Sequence, residues 1–99
     1  MQDADDNFYK RADEHIHLSN SQITEAQGKG EVSASFMYSV ARYNAYVSAC
    51  GYSNVDEFMK DKEVIVNYFS DQYKKMLEEN LEDYMLNFSK YMTTEDIKS

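Results

Sequence analysis

Two histidines, one cysteine and one arginine inside an apolar run have the widest chemical range in this sequence. His15 and His17 stand two positions apart, which on a helix turns them roughly 200° from each other. They cannot share one metal ion, and the His-Glu-x-x-His spacing that would let them do so is absent. One of them is expected to be partly packed, and His17 to be exposed beside Asp13. Cys50 closes an apolar helix, where the partial negative charge of a helix C-terminus disfavours a thiolate, so a buried, inert thiol is expected. Arg42 has two readings. Either it pairs with Asp13 or Glu14 as a structural ion pair, or it anchors an anionic-ligand site together with Asn44, Tyr46 and nearby tyrosines.

Other patterns point away from chemistry. Gly28-Lys29-Gly30 lacks the Gly-x4-Gly-Lys-Ser/Thr order of a phosphate loop. The acidic run over residues 78–83 lacks the Asp-x-Asp-x-Asp-Gly order of a calcium loop and reads as a solvated face. No serine triad, dinucleotide loop or Cys–His cluster is present. The expectation is a protein that is not an enzyme and uses no metal or cofactor.

The elements that carry these residues are helical. The chain has 99 residues, no proline, and glycine only at 28, 30 and 51. That is one domain, expected over residues 7–91 with flexible ends at 1–6 and 92–99, and few breakers to interrupt long helices. Residues 33–50 are the least polar run. Phe36, Val40, Tyr43, Val47 and Cys50 repeat at helical spacing, and Met37, Ala41, Ala45 and Ala49 widen the face. Ser33 is the expected N-cap and Gly51 the expected left-handed C-cap. Ahead of this helix, Asp6 or Asn7 starts another that runs to about Gln27. Phe8, Ala12, Ile16, Ser19, Ile23 and Ala26 are its inward stripe.

A turn near residue 29 would make these two helices antiparallel neighbours with facing positions summing to about 59. Phe36 then meets Ile23, and Arg42 comes near Asp13, Glu14 and His17. Beyond Gly51, Ser53 and Asp56 resemble a capping box opening a short helix to about Lys60. Asp61 can cap the last helix, or residues 53–91 form one kinked helix. Ile65, Phe69, Tyr73, Met76, Asn80, Tyr84 and Phe88 line one side of it. The fold class is all-α, a small three-helix bundle with one additional short helix.

The charge balance excludes some partners. At a net charge of −8, a phosphate backbone or an anionic membrane surface would be repelled. No apolar run approaches the length of a membrane span. A single cysteine and an acidic N-terminus without a signal-peptide pattern place the protein in the cytoplasm.

Three segments, FYKRADEHIHLSNSQ, KGEVSASFMYSVARYNAYVSA and KMLEENLEDYMLNF, resemble a family of small uncharacterised bacterial proteins, a domain of unknown function. The resemblance spans about residues 7–88. It implies a small bacterial soluble protein and brings no activity, ligand or catalytic residue with it.

The function expected is therefore that of a non-catalytic interaction or scaffold protein. Self-association follows from a length mismatch: a last helix over 61–91 would run roughly 46 Å against roughly 27 Å for the central one. Leu81, Tyr84, Met85 and Phe88 would be left over to form a homodimer interface, with room for an unidentified protein partner. Nothing beyond Gly51 looks able to turn the chain back.

Overall fold

The computed structural model describes residues 5–92. Among them the chain forms α1 (Phe8–Ser21), α2 (Lys29–Ala49), α3 (Val55–Lys60), α4 (Lys62–Leu86) and α5 (Phe88–Tyr91), with no strand. The fold is all-α, with three long helices and α3 as the short one expected; α5 is a further single turn. The flexible ends expected at the termini lie, for residues 1–4 and 93–99, outside the described residues. No described helix is long and apolar enough to cross a membrane. The chain divides into two compact units, Met1–Tyr46 and Val47–Ser99.

In the first unit the entry to α1 is organised by Asp5. Its Oδ1 accepts the Asn7 N–H at 2.8 Å, and its Oδ2 pairs with Arg11 at 3.1 Å. The Arg11 guanidinium, more than the backbone bond, holds the Asp5 carboxyl below its ordinary value. Asn7 is the N-cap residue, as expected, but its side chain makes no capping bond.

The first helix stops at Ser21, six residues before the expected end. Ser19, Asn20 and Ser21 are poor helix residues because their side chains compete for backbone partners. Ser21 Oγ donates to the Leu18 carbonyl, and Thr24 Oγ1 takes the N–H groups of Ala26 and Gln27. The turn therefore occupies residues 22–28.

The central helix starts at Lys29 rather than after Ser33. Gly28 takes the N-cap position, and Glu31 reaches back to accept its N–H at 3.0 Å. That is half of a capping box, the half a glycine cap allows. Ser33 is thus inside the helix, and Val32 is the buried apolar side chain among the described residues, at 7% exposure.

The earlier turn shifts the hairpin register. The rings of His15 and Phe36 lie 6.2 Å apart, so the expected facing positions do not hold at Phe36. Phe36 faces His15 instead of Ile23. Phe8, Ala12, Ser19 and Ile23 of the expected α1 stripe are half-buried, while Ile16 is exposed.

The second unit begins with the last turn of α2. Gly51 does not take a left-handed conformation. The helix instead closes on tight i→i−3 bonds, Gly51 N–H to Ser48 O and Tyr52 N–H to Ala49 O, each 3.1 Å. Cys50 is exposed in this turn, which overturns the expected buried thiol. The cap of α3 is Asn54, whose Oδ1 accepts the Glu57 N–H at 3.0 Å, one residue beyond the expected Ser53.

Asp61 separates α3 from α4, so residues 55–86 form two helices and not one. Its side chain makes no capping bond because it accepts the Tyr52 hydroxyl. Ile65, Phe69, Gln72 and Met76 form the half-buried face of α4, and from Leu77 to Leu86 every residue is exposed. Asn80 of the expected stripe donates to Met76 O inside an unbroken helix. The break comes at Asn87, which ends α4 at Leu86.

The length argument changes accordingly. Twenty-five residues make α4 roughly 37 Å long and twenty-one make α2 roughly 31 Å, so most of the expected overhang disappears. Exposure of the apolar stripe does not.

Candidate functional site

In the first unit α1 and α2 border an open groove of about 460 Å³. From α1 it takes His15, Leu18, Ser19 and Gln22. From α2 it takes Phe36, Val40 and Tyr43 as apolar wall and Ser35, Ser39 and Asn44 as polar points. The i, i+4 and i, i+3 spacing of Phe36, Val40 and Tyr43 sets them in one line along α2. Ser35 and Ser39 spend their hydroxyl protons on carbonyls of their own helix, Glu31 O at 3.1 Å and Ser35 O at 3.0 Å. Among the described residues His15 forms no hydrogen bond to a groove serine; its ring lies against Phe36. No serine here has the base contact that nucleophilic activation requires.

The residues expected at an anionic-ligand site are not brought together. Asn44 is half-buried and lines the groove. Arg42 and Tyr46 are exposed and do not line it, and Tyr46 packs its ring 5.9 Å from that of Tyr43. Two positions separate Asn44 from each of them, which on a helix is nearly opposite sides.

The expected ion pair of Arg42 with Asp13 or Glu14 is not formed. The ion pairs among the described residues join Arg11 to Asp5 and Lys60 to Glu57. Arg42 is exposed on α2, and among the described residues its guanidinium pairs with no carboxylate. No group of three or more His, Cys, Asp or Glu among the described residues is placed to hold a metal.

The second feature is the bare end of α4. Leu77, Leu81, Tyr84 and Met85 recur at i, i+4, i+7 and i+8 and share one face. All four are exposed, Met85 to 71%, as is Phe88 beyond the break at 52%. The rings of Tyr84 and Tyr91 meet at a tilt of 58° with centroids 4.9 Å apart, and the Tyr91 hydroxyl donates to Asp83 Oδ1 at 3.3 Å. That bond holds the phenol's proton and raises the Tyr91 pKa.

The groove went unread in the sequence because Leu18, Gln22 and Ser39 lie outside the stripes that periodicity picks out. The spacing of Ser35 and Ser39, small side chains one turn apart, is the signal that marks an open channel on α2.

No curated protein matches this sequence. Among solved structures, the chain is similar to the protein NB7890A from Shewanella sp, determined by NMR, with 40% sequence identity and a TM-score of 0.75. The match covers 91% of this chain and 95% of that one. Residues 8–85 match the family model described as Protein of unknown function (DUF3144), and the chain belongs to that family.

Proposed function

We propose that this is a non-catalytic interaction protein of the bacterial cytoplasm that self-associates through its last long helix. One observation carries the reading. Among the described residues Val32 is the single buried apolar side chain, while twenty-two large apolar or aromatic side chains are exposed. Burial of apolar surface is the main force that offsets chain entropy, so one buried valine cannot hold a folded chain by itself. The stripe of Leu81, Tyr84, Met85 and Phe88 is a continuous part of that surface, larger in kind than the scattered apolar residues of an ordinary monomer.

The net charge of −8 supports a protein partner over nucleic acid or an anionic lipid surface. Cytoplasmic residence is supported by the lone, exposed Cys50. Binding of an anionic ligand by Arg42, Asn44 and Tyr46 has no geometric support, since the three do not share a face and no lysine or arginine lines the groove.

Light scattering coupled to size exclusion tests the proposal. The full chain should have the mass of two copies at tens of micromolar, and Tyr84→Glu/Phe88→Glu that of one. A full chain with the mass of a single copy would defeat the reading, and a dimer indifferent to the double change would move the interface off the last helix.

A further inference from the structure

We infer that the α1–α2 groove of one copy is filled by the Leu77, Leu81, Tyr84 and Met85 stripe of a second copy, each chain giving one helix and receiving one. This rests on the self-association proposed above and names the surface that receives the last helix.

Length agrees first. The groove extends along α2 from Ser35 to Asn44, roughly 13 Å, and the bare stripe from Leu77 to Met85 runs roughly 12 Å. The chemistry of the walls also agrees. Leu18, Phe36, Val40 and Tyr43 face an apolar helix side whose anchors recur at the spacing used by helices that dock in grooves.

Charge then separates this arrangement from the simpler one, stripe against stripe. Glu78, Glu79, Glu82 and Asp83 flank the stripe, and no basic residue lies between Lys75 and Lys90. Two such helices side by side would set carboxylates against carboxylates. The groove is lined by no aspartate or glutamate, and its one ionisable side chain other than Tyr43 is His15.

Area points the same way. Aromatic side chains bury about 150–250 Å² each when fully covered, and leucine and methionine lie at or below the lower end of that range. The stripe residues are about half exposed, so covering them and Phe88 removes about 500 Å² per copy. Stripe against stripe would bury about 1,000 Å² in total, the lower limit for a specific interface, and leave both grooves open. Exchange adds the surface of both grooves to that total and leaves neither open.

Single-cysteine pairing tests the inference. In a Cys50→Ser background, Ser39→Cys and Met85→Cys are made in separate chains, mixed, and oxidised. A disulfide joining one chain of each kind is expected. Pairing of Met85→Cys only with itself would overturn groove docking while leaving self-association standing. Light scattering on the unmodified chain reads that underlying association independently, and a single-copy mass there overturns both.

A double variant, Ser39→Cys/Met85→Cys, that closes only within one chain would place the chain's own helix in its groove and overturn the exchange. Two charge variants give a second readout. Val40→Glu and Leu81→Glu should each weaken the dimer roughly thirtyfold or more. Mixed together they should recover one intact helix-in-groove contact. A dimer unaffected by Val40→Glu would exclude the groove.

Discussion

The Tyr52 hydroxyl donates to Asp61 Oδ2 at 2.6 Å, closing the turn between α2 and α3 onto the joint between α3 and α4. Tyr52 lies in the coil that follows Gly51, and Asp61 is the one residue separating two helices. The Tyr52 ring also stacks on Phe58 at 5.0 Å. A single tyrosine therefore ties the C-terminal end of α3, a helix of six residues that is too short to persist alone, to the turn before it.

This bond sets a pH dependence. Asp61, as hydrogen-bond acceptor and nearby charge, raises the Tyr52 pKa above its ordinary value of 10.0. A raised folded-state value means that the contribution is complete below pH 10 and is lost as pH rises through the folded value. Tyrosinate absorbance of the native protein minus that of Tyr52→Phe should therefore titrate with a midpoint above pH 10. The difference in melting temperature between the two should shrink over the same range. A difference titration centred at or below pH 10 would mean the bond is not made in solution.

Arg42→Met should be nearly neutral. The side chain is exposed and pairs with neither Asp13 nor Glu14, and such surface changes fall within about 0.5 kcal/mol. Had the pair been buried, breaking it would have cost roughly 3–5 kcal/mol. Urea melts separate the two outcomes, and a loss in the larger range would restore the pair to the solution structure.

These two cases show what the sequence made legible. Periodicity identified every long helix and most of the half-buried α1 stripe, because apolar spacing is a local signal that survives any register. The facing positions of α1 and α2 depended on where one turn falls. Ser21 and Thr24 ended α1 early through hydroxyl-to-backbone bonds, and a turn displaced by a few residues moves facing positions by twice that. Cap chemistry failed in the same local way: Asn54 capped α3 in place of Ser53, and Glu31 served a glycine cap in place of Ser33. The groove was not legible at all, since it is defined by which side chains leave space.

Gly51→Ala should stabilise the protein by about 0.4–1 kcal/mol, because alanine restricts the unfolded chain. Gly51 does not use positive φ, and an added Cβ would meet Ser48 O at an ordinary 3.5 Å. Gly30, inside the first turn of α2, has open space around its Cβ position. Gly30→Ala should help by up to about 1 kcal/mol through helix propensity. A loss of stability at position 51 in denaturant melts would indicate a left-handed cap there after all.

Cys50 should react readily with Ellman's reagent in the native state. It is exposed in the turn after α2, so unfolding adds little access. Native and denatured rates within a few-fold of each other are expected. Protection of the native thiol by orders of magnitude would mean that this turn is covered in solution.

The last prediction concerns what stops α4 where no proline or glycine is available. Asn87 has φ −116° and ψ 27°, outside the helical range. Its N–H still reaches Asp83 O at 3.0 Å, and its side-chain Nδ2 donates to both Asp83 O and Asp83 Oδ1, each at 3.0 Å. The next backbone bonds start again from Asn87 O, which accepts from Lys90 and Tyr91. Asp83 thus collects the side chains of Asn87 and Tyr91 on one carboxylate. Asparagine does here what a glycine cap does elsewhere, because its amide competes with the backbone for the same carbonyl. Asn87→Ala removes that competitor and supplies the best helix former. The helix should then run unbroken from Lys62 through Tyr91, adding about 7 Å of continuous rod. Carbon secondary chemical shifts at Asn87, Phe88 and Ser89 read this directly. Values moving to the helical range in Asn87→Ala are expected, and unchanged shifts at Phe88 and Ser89 would assign the break to something other than Asn87.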